Sequence, residues 1–199
     1  MNHFKDKLII YLPSSVQKGT MTLEECLRKR ESIRDFSSEP LKREDLSQLL
    51  WSAQGITRNW GGKTCPSAGA LYPLEIYVVM NEGVFHYSPQ AHNLIRIILR
   101  DVRKSLSEAA LGQDCIREAP AVFIITSVYE RVLQKYGNRT ERYINMEVGH
   151  AGQNILLQAV SLGLAAVPIG AFHDEQVKQV LNLHVNHEPL YLIPVGKKR

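Results

Sequence analysis

The chain is poor in the features that announce several common protein classes. It holds three cysteines, Cys26, Cys65 and Cys115, with no Cys-x-x-Cys pair. An odd count in that arrangement argues against a disulfide framework and against a zinc ribbon. No apolar run approaches the ~20 residues of a membrane span. The start, Met1-Asn2-His3-Phe4-Lys5-Asp6, lacks the charged-then-apolar run of a signal peptide. These absences set the expectation of a soluble cytoplasmic protein with no membrane partner. No Gly-x-Gly-x-x-Gly follows a strand-like segment, and no Gly-x4-Gly-Lys-Ser/Thr, His-Glu-x-x-His or aromatic ribonucleoprotein motif occurs. Rossmann, P-loop, zincin and RNA-strand readings lose their support. His184-x-x-His187 has metal-like spacing, but Asn182 and Asn186 place it in a loop with no third ligand.

What is present is ordinary globular material. The 199 residues are 44% hydrophobic and 22% charged, enough for one domain with a real core and unlike a disordered or collagen-like chain. The expectation is a single domain over residues 1–199, with residues 1–20 as an extended arm. Lys plus Arg exceed Asp plus Glu by 24 − 20 = 4. That excess suits a small anionic ligand as well as nucleic acid, and decides nothing by itself.

Thr22-Leu23-Glu24-Glu25 has capping-box spacing, which predicts a helix from there to about residue 30. Residues 43–54 carry apolar positions at 46, 49, 50 and 53, a helical period stopped by Gly55. Residues 55–73 are rich in glycine and proline and read as a long loop of the kind that carries function. Strands are predicted over 74–80, 84–87, 94–99, 121–128, 165–169 and 190–195, and helices over 101–111, 129–136 and 174–181. The longest helix is predicted over 141–162, apolar at 144, 148, 151, 155, 159 and 162, with Glu147, His150, Asn154, Gln158 and Ser161 on the opposite face. Strands and helices mix without a strict β-α-β rhythm, so the fold class is α+β with a mostly antiparallel sheet.

Three segments carry chemical signal. In Arg30-Glu31-Ser32-Ile33-Arg34-Asp35-Phe36, two guanidiniums and a hydroxyl can converge on one phosphate, because forked arginine donors match phosphate oxygens. A solvated basic turn fits the same residues. In Pro66-Ser67-Ala68-Gly69-Ala70-Leu71-Tyr72-Pro73, small side chains let backbone approach a flat ligand, and Ser67 can bond a polyol or ring edge. A tight loop packed under a sheet fits as well. In Pro168-Ile169-Gly170-Ala171-Phe172, Gly170 leaves an unobstructed N–H for a ring nitrogen, or simply bends a buried strand.

Taken with Leu49-Leu50-Trp51-Ser52-Ala53-Gln54-Gly55, Lys135-Tyr136, Arg139, Arg142-Tyr143, Glu147-x-x-His150-x-x-Gln153-Asn154 and Glu188-Pro189-Leu190-Tyr191, these segments resemble the nitroreductase-like flavoproteins. The closest likeness is to their SagB-type dehydrogenase branch, and it runs from about residue 11 to residue 196. The resemblance implies a homodimer with a long central helix, holding FMN between two subunits. It implies Arg30, Ser32 and Arg34 at the phosphate and ribityl chain, with Pro66, Ser67, Ala68, Gly69, Ala70 and Leu71 along the ribityl chain and ring. It places Ile169, Gly170 and Ala171 at the flavin N5 edge and Asn154 among the cofactor-facing residues. Lys197, Lys198 and Arg199 are the candidates for a basic group near the chain end that reaches the phosphate, and Lys198 is taken as that group.

In the SagB-type branch, which oxidises azolines to azoles on ribosomal peptides, a Lys-Tyr pair is associated with proton abstraction. Lys135 and Tyr136 are the catalytic candidates on that ground, since a tyrosine beside an ammonium loses its proton more easily. A surface lysine followed by a packing aromatic is the plainer reading. Cys65 reads as packing, and His150 as structural in an interface network with Glu147 and Asn154. Two departures stand out, Glu31 where the family is usually basic and Lys63 where the branch often has Arg. The expected function is FMN-dependent hydride transfer with a small-molecule or peptide substrate, azoline oxidation leading. The alternatives are an NAD(P)H-dependent nitro or quinone reductase and a non-catalytic flavin- or partner-binding subunit. A flavin use for the basic residues leaves little place for nucleic acid.

Overall fold

A computed structural model describes residues 8–199; the first seven residues of the expected arm lie outside the described residues. Seven strands form one sheet in the order β1-β4-β3-β2-β5-β7-β6. They are β1 (Ile9–Tyr11), β2 (Leu74–Met80), β3 (Gly83–Ser88), β4 (Asn93–Ile98), β5 (Ala121–Ser127), β6 (Ala165–Ala166) and β7 (Glu188–Gly196). Every pairing between these strands is antiparallel. The helices are α1 (Leu23–Lys29), α2 (Arg43–Gln54), α3 (Arg103–Ala109), α4 (Asp114–Glu118), α5 (Glu130–Tyr136), α6 (Thr140–Ser161) and α7 (Asp174–Leu181).

The period of two along the strands creates two cores. Ile76 and Val78 of β2, with Phe123 and Ile125 of β5, face α2 and α6. Tyr77 and Val79, with Val122 and Ile124, face α3, α4 and α7. All seven residues of β5 are buried, as expected of a central strand covered on both sides. α6 meets the sheet through Ile144, Val148, Ala151, Ile155 and Ala159, the helical period read from the sequence. α1 begins with the anticipated capping box, Thr22 Oγ1 accepting from the Glu25 N–H and Glu25 accepting from the Thr22 N–H.

Differences from the sequence reading are local. β6 is two residues long: Pro168 has no N–H for the ladder, so past Ala166 the Val167 N–H donates to the Pro194 carbonyl at 3.2 Å and Ile169 rejoins β7 through Leu192. α4, five residues between Gly112 and Pro120, has no counterpart in the sequence reading, being too short to display a period. β1 is a three-residue strand inside the expected arm, paired with β4. Glu147 does not lie on the polar face of α6: it is 3% exposed and belongs to the buried side, whereas His150 is exposed.

Candidate active site

α1 stops at Arg30, whose backbone is extended, and the following residues run along the sheet edge. Ser32 bridges Ala166 in parallel, and the Ile33 N–H donates to the Ala166 carbonyl at 3.1 Å. The chain end returns beside the same segment. Phe36 bridges Lys198, the Ser37 N–H donates to the Lys197 carbonyl at 2.9 Å, and the Arg199 N–H donates to the Asp35 carbonyl at 3.3 Å. The fully buried Phe36 anchors this ribbon. Tertiary pairing therefore joins two stretches that lie at opposite ends of the sequence, the arginine segment and Lys198. Arg30 is half-buried, and Ser32, Arg34 and Lys198 are exposed. Lys198 sits 3.7 Å from Glu31, one of the family departures.

The second group gathers on the loop that enters β2. A 3-10 turn, Ala68–Ala70, is held by the Ser67 hydroxyl oxygen, which accepts from the Tyr72 N–H at 2.9 Å. Gly69, Ala70 and Tyr72 have φ of 62°, 55° and 46°. Two of these are not glycine, so the turn carries local strain, a common property of functional loops. Arg131 of α5 donates to the Tyr72 carbonyl at 3.0 Å and steadies the turn from outside.

Gly69 faces the catalytic candidates directly. A Cβ at Gly69 would stand 2.8 Å from Lys135 Nζ and 2.8 Å from Tyr136 OH. The glycine makes room for both polar ends. Lys135 is exposed and its Nζ lies 5.5 Å from the centre of the half-buried Tyr136 ring. Tyr143 packs edge-on against Tyr136 at 4.9 Å and orients it.

Ile169 exchanges both backbone hydrogen bonds with Leu192, at 2.8 and 3.0 Å. This fixes the strand immediately before the exposed Gly170, and open space lies where a Gly170 Cβ would project. The Ala171 carbonyl accepts from Gln113 at 3.0 Å. Asn154 donates to the Ser52 carbonyl at 3.0 Å, tying α6 to α2, and lines a 630 Å³ groove beneath residues 14–21. Among the described residues no hydrogen bond or ion pair links the arginine segment to the 66–71 loop.

Several polar groups surround the loop, among them Glu147, which sequence reasoning set on the polar face, and Glu75, which it did not single out. Burial raises the Glu147 carboxyl to about 7, against smaller opposing effects of Ser67 and Lys63, and its Oε1 has no partner. Its position one residue before Val148 and three after Ile144 was the available signal. Burial and the Glu147 charge push the neighbouring Cys65 thiol up to about 12, consistent with a packing cysteine. Glu75 of β2 accepts from His86 at 2.8 Å and pairs with Arg131. Burial pushes its carboxyl up, but these bonds and the Arg131 charge outweigh burial and hold it at about 2.

Glu147 gives a pH prediction. Its folded pKa of about 7 exceeds the ordinary 4.5, so the native state holds more protons than the unfolded chain between those values. Stability contributed by the protonated form is complete below about 4.5 and is lost as pH rises to about 7. Glu147→Gln should remove this loss, which is on the order of 3 kcal/mol. Urea unfolding at about pH 5 and pH 8 should show the variant gaining on the parent only at the higher pH. Equal gains at both would contradict the assignment.

The antiparallel sheet thus carries a strained loop at the entry to β2, faced by a lysine and a tyrosine, and an arginine-serine ribbon at its edge. Residues 27–197 match the nitroreductase family, and the chain belongs to it. A protein of Methanocaldococcus jannaschii named as a nitroreductase is 45% identical over 97% of this chain and 98% of its own length. A solved structure from Ralstonia eutropha, described as a nitroreductase, superposes with a TM-score of 0.87 at 29% identity, covering 96% of this chain and 90% of that one. The trifolitoxin-processing protein TfxB of Rhizobium leguminosarum bv. trifolii is 33% identical over 61% of this chain, which matches 35% of that protein's length. Among the described residues no helix is long and apolar enough to cross a membrane, and no His, Cys, Asp and Glu group could hold a metal ion.

Proposed function

We propose that this chain is an FMN-dependent oxidoreductase, a single-domain subunit of a homodimer, that moves hydride between flavin N5 and a small-molecule or peptide substrate. The supporting observation is Gly69 seated against Lys135 Nζ and Tyr136 OH, on the loop that the resemblance assigns to the cofactor. The residues suit the group: two arginines, a serine and a lysine on one exposed ribbon fit a phosphate, and a loop of small residues fits a flat ring. When bound, FMN supplies the hydride chemistry.

The chain's own residues bind, orient and move the proton. Arg30, Ser32, Arg34 and Lys198 offset the phosphate charge. Pro66, Ser67, Ala68, Gly69, Ala70 and Leu71 line the ribityl chain and ring. The Gly170 N–H, flanked by Ile169 and Ala171, donates at the N5 edge, and Asn154 supports the cofactor-facing side of α6. Lys135 and Tyr136 take the proton that leaves the substrate as its hydride departs.

Azoline oxidation is the leading specific reaction, supported by the Lys-Tyr pair and by the likeness to a toxin-processing protein. Nitro or quinone reduction with NAD(P)H is the second reading, favoured by the name of the Methanocaldococcus relative. A visible spectrum of the purified protein, with heat release of the chromophore, tests the cofactor: about one FMN per chain is expected, and a colourless protein that ignores added FMN would overturn the proposal. Arg30→Ala with Arg34→Ala should weaken FMN retention roughly 100-fold, from two charge-assisted hydrogen bonds lost. Rapid bleaching by NAD(P)H would favour the reductase, and indifference to NAD(P)H with turnover of a thiazoline peptide the dehydrogenase.

A further inference from the structure

α5 is a short helix with little to hold it. Of its seven residues only Val132 is buried, and a helix of that length takes its orientation from its neighbours rather than from its own bonds. Among the described residues, the side-chain hydrogen bonds that leave α5 are those of Arg131. One prong of its guanidinium donates to the Tyr72 carbonyl at 3.0 Å, and the other pairs with Glu75. His86 lies 2.8 Å from the second carboxylate oxygen of Glu75 and stacks on Tyr77, with 4.7 Å between ring centres. Glu75 and His86 belong to the paired strands β2 and β3, so the clamp on Arg131 is anchored in the sheet.

Tyr72 is the residue that needs support. Its φ of 46° is costly for a side chain of that size. It is held at three points: its N–H by Ser67, its hydroxyl oxygen by the Lys63 N–H at 3.2 Å, and its carbonyl by Arg131. Of these three holders only Arg131 lies on the helix that carries Lys135 and Tyr136. Lys135 follows it by four residues, about one helical turn along the same face. Like charges at that spacing repel, and Glu75 offsets the charge of Arg131. The planar fork thus ties the turn that bears Gly69 to the face of α5 that bears the lysine.

We propose that Arg131, clamped by Glu75, is a positioning residue for the proton transfer: it sets the 66–71 turn against α5 so that Lys135 Nζ and Tyr136 OH stand over Gly69. This role rests on the reading of Lys135 and Tyr136 as the proton acceptor.

Stopped-flow reduction of the FMN-saturated protein by a thiazoline peptide gives the limiting rate and the peptide affinity separately. Arg131→Met should lower the limiting rate roughly tenfold, the scale set by small displacements of reacting groups, and leave peptide affinity within about twofold. In the Lys135→Ala, Tyr136→Phe background, where nothing remains to be positioned, the same substitution should change the residual rate by less than about twofold. A general loosening of the fold would instead slow both backgrounds alike. An unchanged limiting rate in Arg131→Met, a loss confined to peptide affinity, or a full further loss in the background without the base would overturn the proposal. If Arg131→Met does not fold, Arg131→Lys decides: it keeps the charge on Glu75 and loses the fork, so a limiting rate within about twofold of the parent's would overturn the proposal. A Lys135→Ala, Tyr136→Phe protein as fast as the parent sinks the base and this role with it, as does a parent that the peptide does not reduce. A slow one beside an unaffected Arg131→Met sinks this role alone.

Discussion

Replacing Lys135 with Ala and Tyr136 with Phe together should slow reduction of bound flavin by a thiazoline peptide by roughly 100-fold or more, the usual contribution of a positioned proton acceptor. FMN content should not change, because neither side chain is assigned to the phosphate or the ring. The geometry motivates both halves of the expectation. Both polar ends stand where a Gly69 Cβ would project, so they share one spot over the loop rather than separate surface positions. The single variants separate the roles. If the Tyr136 hydroxyl accepts the proton and Lys135 only positions it, Tyr136→Phe should remove activity, while Lys135→Ala should leave part of it. Stopped-flow recording of flavin absorbance provides both measurements. Unchanged rates in the double variant would sink the proposed base and favour a subunit that binds flavin without catalysis.

The largest effect on stability should come from a glycine far from the site. Gly83 opens β3 with φ of +136°, and a Cβ there would lie 1.9 Å from the Ile98 carbonyl oxygen of β4. The obstacle is backbone inside a paired strand, so no side chain can swing away. Gly83→Ala should cost about 3 kcal/mol or more, through forbidden φ and a broken β3–β4 register. Urea unfolding followed by circular dichroism would show the midpoint falling with little change in slope. A loss below about 0.5 kcal/mol would mean that the hairpin relaxes freely. By contrast, Gly163 also has positive φ but nothing within 4 Å of its would-be Cβ, so Gly163→Ala carries only the backbone penalty.

Much of the architecture is local in origin and was therefore legible. α2, β2 and α7 begin and end at the predicted residues. Each is bounded by a breaker or carries an unambiguous period: Gly55 after α2, Pro73 before β2, Asn182 in the left-handed conformation after α7. The elements that went unread, β1 and α4, are too short for periodicity to register, and β6, predicted over 165–169, is shortened where one proline outweighs an apolar run.

The candidate site divides along the same line. By itself the sequence determined the residue types able to meet an anion and a flat ring, in Arg30, Ser32, Arg34 and the 66–71 loop, because those capacities belong to side chains and to glycine. It also determined the family likeness, which depends on order and spacing. Tertiary structure alone decided which of these groups are neighbours. Sheet pairing of residues 32–37 with β6 and the chain end brings Lys198 to Glu31 and the arginine ribbon. The packing of α5 against the turn sets Lys135 and Tyr136 over Gly69. Packing also turned Glu147 inward and set the Lys63 ammonium on the buried Gln54. Those outcomes depend on burial and on contacts between residues far apart in sequence, and burial is what moves a carboxyl to about 7.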